Sequence, residues 1–182
     1  MKMDQNQWEE MKKDAFFAAG HIRTEAAFRE ACLCCYLKHP INKAIHAASI
    51  VIAAALLALQ IVYGADFYNV VALIAIVFSW ALNAYRIWKS GKIAVERDRE
   101  SYGDVPVKIK YWIGAEQICV ETSYGVSEEF ALANVKYAHE TKAIIVLVTK
   151  AKQIMLLDKP SFSKGTSEGF MEFLKRKNIK VI

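Results

Sequence analysis

Three of the four cysteines lie together at Cys32, Cys34 and Cys35, and His39 follows them closely. Thiolate and imidazole groups are the ligands that zinc prefers, but a tetrahedral site usually draws a second pair from elsewhere, and the chain offers only the isolated Cys119. Cysteines beside a membrane segment also carry acyl chains in some proteins. We favour a third interpretation, in which reduced thiols pack as small apolar side chains, so we expect no metal and no cofactor.

No residue spacing typical of a catalytic site is present. The chain lacks a nucleophile elbow, a glycine-rich phosphate loop, an H-E-x-x-H motif and a paired-carboxylate motif. We therefore expect no catalytic residue and no enzymatic activity. The net charge of +5 comes without an aromatic RNA-binding signature or a zinc finger, so nucleic acid is not an expected partner.

Four polar residues interrupt two long apolar stretches: His46, Gln60, Asn69 and Asn83. If the chain folds back near residue 65, His46 lies level with Asn83, and Gln60 lies level with Asn69. We expect these side chains to form hydrogen bonds between two helices. The alternative is that they line a pore or a proton path.

The two apolar stretches cover residues 44–63 and 67–86, and Asp66 is the one Asp, Glu, Lys or Arg between Lys43 and Arg86. At a rise of about 1.5 Å per residue, roughly 20 helical residues cross the roughly 30 Å hydrocarbon core of a bilayer. Two adjacent stretches of this length argue against a helix buried in a soluble protein. The three-residue connection 64–66 predicts an antiparallel transmembrane hairpin. Small residues at four-residue spacing are expected to form its contact face: Ala44, Ala48, Ala54 and Ala58 in the first span, and Ala75, Ser79 and Asn83 in the second.

The basic residues flanking these stretches predict the orientation. Lys38 and Lys43 precede the first span, several Lys and Arg residues follow the second, and the connection has none. Cationic segments resist translocation, so we expect a two-pass protein of the cell (inner) membrane with both termini cytoplasmic.

Further lysines are candidates for contact with the anionic surface of the bilayer. They are Lys89, Lys92, Lys108, Lys110, Lys150 and Lys152. They form no specific phosphate pocket, so we expect weak, salt-sensitive attraction to the membrane.

The segment 1–43 has apolar residues at helical spacing, including Trp8, Met11, Ala15, Ala19 and Ile22. It predicts one or two cytoplasmic amphipathic helices, broken near Gly20 and His21. Because the polar face is mixed in sign, we expect packing against protein rather than against the membrane surface.

A change of period separates the remainder of the chain. Residues 87–102 contain no helix breaker and predict a helical linker. From residue 103 onwards, alternating patterns predict six short strands in an antiparallel meander, which begin with 105–111 and 118–122 and continue with 126–132, 135–140, 143–149 and 153–158. Helical spacing returns over 163–177, so the expected fold class is a membrane α-helical hairpin followed by an α+β domain, a meander closed by a C-terminal helix.

The chain resembles the bacterial YcxB-like membrane proteins, which have two spans and a C-terminal domain like the pleckstrin-homology (PH) domain. The resemblance covers Ala44 to Ile182 and rests mainly on the stretch QIMLLDKPSFSKGTSEGFMEFLKRK, with its Lys-Pro-x-Phe turn and Glu-x-Phe-x-x-Phe-Leu helix. It implies a PH-like domain over 103–182 and no established activity. Such proteins open with a short extended segment before the membrane, whereas this chain is predicted to be helical there.

Two classes of function follow. The first is a non-enzymatic, membrane-tethered interaction or regulatory module that binds the bilayer, a partner protein or a second copy of itself. The second is a subunit of a transport or channel assembly, which the polar residues of the spans would serve.

Overall fold

The computed structural model describes residues 5–64, 66–103 and 106–182. Within those ranges the helices are α1 Gln5–Asp14, α2 Glu25–Lys38, α3 Pro40–Tyr63, α4 Phe67–Tyr102 and α5 Ser167–Arg176. The strands are β1 Phe17–Ile22, β2 Lys108–Ile113, β3 Gln117–Thr122, β4 Ser127–Ala131, β5 Val135–Glu140, β6 Ile144–Thr149, β7 Ile154–Asp158 and β8 Lys180–Val181. The helical hairpin therefore accompanies an antiparallel β region, as the sequence predicts.

The strands form two four-stranded sheets rather than one continuous meander. Sheet A has the order β1-β2-β3-β4, and sheet B has the order β7-β6-β5-β8, in which the short β8 is parallel to β5. Alternate residues of both sheets point inward and form the main core, with Ile113 and Leu147 among its fully buried members. Helix α5 packs against this core through Phe170 and Leu174. The predicted strand position Val105 lies outside the described residues.

Strand β1 corrects the expectation of helix throughout the segment before the membrane. Phe17 pairs with Ile113, and Ile22 pairs with Lys108, so β1 is an antiparallel strand of sheet A. Phe17 and Ala19 both point into the core, and this alternation is typical of a strand. The apolar character of the same residues is also compatible with a helix. The β domain is thus built from residues on both sides of the hairpin, and the expected division between 1–43 and 103–182 does not hold.

The outer edge of β1 is held by the segment that follows β7. The Gly20 amide donates to Ser161 Oγ at 2.9 Å, and the Ser161 hydroxyl lies 2.6 Å from the Gly20 carbonyl oxygen. His21 Nδ1 lies 2.8 Å from the Asp158 carboxylate. Gly165 has a φ of +73°, and a Cβ there would lie 2.4 Å from the Phe17 ring, so glycine permits this close packing. These hydrogen bonds occupy backbone groups at the edge of β1 that would otherwise be free to pair with a strand of another chain.

The outer face of each sheet is covered by a helix from the N-terminal segment. Helix α1 lies on sheet A, where Met11 contacts Cys119 and Lys12 lies 4.8 Å from the centre of the Trp112 ring. Helix α2 lies on sheet B, so that every residue of β6 is buried. Packing of α1 against protein agrees with the expectation from its mixed charge.

Helices α3 and α4 are long enough and apolar enough to cross a membrane, and none of the residues in their apolar windows is buried. A core helix of a soluble protein would be shielded by its own chain, whereas these two expose Ile, Val, Leu and aromatic side chains along their length. Helix α4 continues as one helix through residues 87–102 and ends at Gly103, whose φ is +93°. The connection between the two helices includes Ala65, which lies outside the described residues.

Candidate functional site

Helix α2 lies between the β domain and the membrane helices. One side of it, with Ala27, Phe28 and Ala31, packs on Val146 and its neighbours on the outer face of sheet B. The opposite side packs along α4, where Gly91 and Trp88 meet Glu25 and Arg29. Because the chain enters α3 at Pro40, directly after α2 ends at Lys38, the helix links the domain to both spans.

The closest contact in this junction joins α4 to the start of α2. Gly91 is the one buried residue of α4 among those described, and a Cβ added to it would lie 2.4 Å from the backbone oxygen of Glu25. Real Cβ atoms do not approach a carbonyl oxygen that closely, so only glycine allows the two backbones to meet here. The helices are therefore in direct backbone contact at this point.

Charged side chains fix both ends of α2. At its beginning, Arg23 Nε lies 3.0 Å from Asp98 Oδ2 on α4. Burial raises the pKa of Asp98, and the Arg23 charge opposes that rise. At the other end, Lys38 Nζ donates to the carbonyl oxygens of Glu140 and Ile182 at 3.0 and 2.8 Å. The helix is thereby tied to α4 at one end and to sheet B at the other.

The three clustered cysteines lie on α2 and do not converge. Cys35 packs against sheet B, and burial raises its pKa to about 11. Cys32 and Cys34 lie outside the apolar cluster that contains Cys35. Burial also raises the pKa of Cys34. Within the described ranges, no group of three or more His, Cys, Asp or Glu side chains is placed to hold a metal ion. Successive positions on a helix point in different directions, which explains why proximity in sequence does not produce a site.

The four polar residues of the spans lie on the side of each helix that faces its partner. His46, Gln60, Asn69 and Asn83 are all partly shielded, while most neighbouring positions are exposed. Among the described residues, no hydrogen bond joins these four side chains to one another. Asn83 donates to Ser79 O of its own helix, and the side-chain nitrogens His46 Nε2 and Gln60 Nε2 have no partner there. The hydrogen bond between the helices is instead made by Trp80 Nε1, which donates to Ser49 Oγ at 3.2 Å.

The expected small-residue contact face is wrong in position except at Asn83, which is partly shielded. Ala54, Ala58, Ala75 and Ser79 are exposed, whereas Ala53 and Ala72 are partly shielded. The true contact stripe of α3 contains His46, Ser49, Ala53, Leu56 and Gln60, at alternating spacings of three and four. Ala54 follows Ala53 by one residue, which is about 100° around a helix with 3.6 residues per turn, so its side chain points away from the stripe.

The six candidate lysines do not form one surface. Lys89 and Lys92 lie on α4 within two turns of Arg86, and Lys92 is 3.9 Å from Glu96. Lys108 pairs with Ile22, and the next residue after Ile22, Arg23, is bonded to Asp98 of α4. Asp98 lies about 18 Å further along α4 than Arg86. Lys110 follows on the same face of β2.

The remaining two lysines, Lys150 and Lys152, flank the turn before β7. Lys89 and Lys92 therefore lie on the helix that contains the second apolar span, whereas the other four candidates lie on the β domain.

Sequence reasoning missed the intermediate position of α2, although two signals point to it. The run Ile144–Val148 is apolar at consecutive positions, which is typical of a strand covered on both faces. Gly91 lies within a long helical stretch, where glycine is unfavourable unless packing requires it. Together these features indicate a helix against sheet B and a second backbone against α4.

Comparison of the chain with protein-family models, with curated proteins and with solved structures found no match.

Proposed function

We propose that this chain is a two-pass membrane protein, with both termini cytoplasmic, that serves as a membrane-tethered interaction or regulatory module and has no enzymatic activity. Its β domain is of the PH-like type, and the hairpin is inserted between the first and second strands. The placement of α2 carries this proposal. A helix that packs on sheet B and on α4 transmits a change in the domain directly to the spans.

Three features support the PH-like assignment. The sheet of β1 to β4 faces a second sheet that contains β5 to β7, and a helix follows the last of these strands. The segment before the membrane contains one extended stretch, Phe17–Ile22, and the YcxB-like proteins that the chain resembles also have a short extended segment there. In this arrangement the connection between the first two strands is the membrane hairpin itself, so the domain is attached to the bilayer at both ends of that connection.

Site-specific photocrosslinking in native membranes tests the proposed role. A photoreactive residue at the exposed Lys142, in the turn between β5 and β6, is expected to yield a discrete adduct with a partner protein or a second copy. The same residue at the exposed Ile61 of α3 is expected to yield lipid adducts and serves as the matched control. Lipid adducts alone from a series of exposed positions on the domain would contradict an interaction module.

A second candidate function is a subunit of a transport or channel assembly. The observation in its favour is that His46 Nε2 and Gln60 Nε2 are buried and have no hydrogen-bond partner in the part of the chain that the structure describes. Two helices cannot enclose a path, so this function requires several copies or additional chains. A large detergent-stable oligomer with ion flux that His46→Leu abolishes would support it, whereas a monomer or dimer without flux would support the first proposal.

A further inference from the structure

A cleft of about 390 Å³ lies where α2, α3 and α4 meet, on a face of α2 that does not contact sheet B. Its lining includes Leu33 and Leu37 of α2, His46 of α3, and Trp80 and Trp88 of α4. This volume lies within the roughly 300–1,000 Å³ range of small-molecule sites. Almost all of the lining surface is apolar, so the cleft suits an apolar occupant.

The cleft crosses the expected boundary of the hydrocarbon core. Trp80 lies within the second apolar stretch, 67–86, whereas Trp88 lies beyond its end. The two residues are about 12 Å apart along α4. Trp80 donates to Ser49 of α3, and Trp88 lies under the guanidinium of Arg29 on α2. Where the spans cross a bilayer, one end of the cleft is therefore at the depth of the acyl chains and the other is at the depth of the headgroups.

Helix α2 exposes apolar side chains beside the cleft, although it precedes the first apolar stretch. Leu33 and Leu37 are 44% and 49% exposed, and the exposed Ile41 and Ile45 continue this series into α3 at four-residue spacing. An exposed apolar series of this kind, adjoining the spans, is typical of contact with lipid rather than with water. The surface of the cleft is therefore continuous with the exposed apolar surface of the two spans.

The charged groups at the cytoplasmic end of the cleft do not favour an anionic headgroup. Arg29 donates to the Glu25 carboxylate, so its charge is compensated. Glu30, which also contributes to the lining, adds a second carboxylate. The attraction for an occupant therefore comes from the apolar lining rather than from an unpaired cation.

We infer that this cleft holds one acyl chain of a phospholipid from the cytoplasmic leaflet, recognised by its chain rather than by its headgroup. The inference rests on the membrane location proposed above. An empty space at this depth would forfeit van der Waals contacts of the surrounding side chains, and a chain enclosed by three helices makes more such contacts than a chain on the open face of α3. The bound lipid lies against α2, the helix that links the β domain to the spans.

The test uses a phosphatidylcholine with a diazirine in one acyl chain, as a trace component of phosphatidylethanolamine and phosphatidylglycerol vesicles that contain the full chain. Photolysis and mass spectrometry locate the adducts. We expect the adducts at Leu33 and Leu37, the cleft adducts, to exceed those at the exposed Ile61 of α3 by about fivefold. Raised salt should leave this ratio unchanged, because the recognition does not depend on charge.

Two pairs of variants locate the chain. Ala84→Phe fills the cleft and is expected to reduce the cleft adducts to the level at Ile61, whereas Ala81→Phe, exposed on the same helix and outside the lining, should preserve them. Leu33→Asp places a carboxylate in the lining and is expected to cause the same loss, whereas Ala26→Asp, at an exposed position of α2, should not. Thermal unfolding shows that each variant is folded.

The inference is overturned if the cleft adducts do not exceed those at Ile61, if raised salt removes the excess, or if the excess survives in folded Ala84→Phe and Leu33→Asp variants. Adducts at Ile61 without an excess in the cleft would overturn this inference alone and leave the membrane location standing. No adducts at either place would overturn both.

Discussion

The α-carbon of Gly91 faces the backbone carbonyl of Glu25 so closely that a methyl group at position 91 would lie 2.4 Å from the Glu25 oxygen. Gly91 belongs to the extension of the second span, and Glu25 begins the helix that covers sheet B. This contact joins the membrane-spanning part of the chain to the β domain through two backbones, without an intervening flexible side chain. A small displacement of either helix therefore displaces the other.

Replacement of Gly91 by alanine should separate the two helices. In an exposed helix this change stabilises by about 1 kcal/mol, but overpacking here should reverse the sign and cost about 1–3 kcal/mol. Thermal unfolding of the purified chain in detergent measures the effect. Gly114→Ala is the control, because its Cβ would meet its nearest atom, the Gln117 oxygen, at an ordinary 3.8 Å. A stabilised Gly91→Ala variant would show that α2 and α4 are not in contact.

Two neighbouring alanines of α3 should respond differently to enlargement. Ala53 lies on the partly shielded stripe that faces α4, whereas Ala54 is exposed. Ala53→Leu is expected to push the spans apart and lower the hairpin's stability in detergent, and Ala54→Leu is expected to leave it within about 0.5 kcal/mol. The reverse order of effects would place the contact stripe on the other side of α3.

The thiol of Cys119 should be protected from alkylation in the folded chain. It is 1% exposed beneath α1, and burial raises its pKa to about 11, so little reactive thiolate forms near neutral pH. Maleimide labelling mapped by mass spectrometry should therefore modify Cys32 before Cys119. Lys12→Ala, which removes the ion pair with Glu121, should speed Cys119 labelling several-fold, while Lys13→Ala on the exposed side should not. Equal labelling of Cys32 and Cys119 in the wild type would contradict the packing of α1 on sheet A.

Mild acid should weaken the contact of α2 with sheet B. Burial lowers the pKa of His139, the hydrogen bond with the Ile182 carbonyl opposes that shift in part, and the nearby Lys38 charge adds to it. The unfolded chain therefore takes up a proton at His139 at a higher pH than the folded chain does, so stability falls as pH drops below about 6.5. The loss in Tm between about pH 7.5 and about pH 5.5 should be smaller in His139→Gln. His39→Gln, at an exposed position, should retain the wild-type loss. An unchanged loss in His139→Gln would exclude this histidine as its source.

The sequence predicts the local elements well where their periodicity is unambiguous. The strands β3 and β5 and the two apolar spans follow from alternation and hydropathy, which act within a few residues. Strand β1 was missed because Ala15, Ala19 and Ile22 also fit a helical stripe, and its pairing with β2 spans the whole hairpin. The contact of His21 Nδ1 with the Asp158 carboxylate could not be predicted, since the two residues lie far apart in the sequence.

The pairing of β1 with β2 requires the chain to return to the side of the membrane from which it entered. Labelling of single cysteines with a membrane-impermeant reagent in sealed vesicles measures this, after the four native cysteines are replaced by alanine. We expect Glu9→Cys, Ser101→Cys and Lys180→Cys to react from the cytoplasmic side and Asp66→Cys to react from the opposite side. Reaction of Glu9→Cys and Lys180→Cys from opposite sides would contradict the two-pass hairpin, because no strand on one side of a bilayer can pair with a strand on the other.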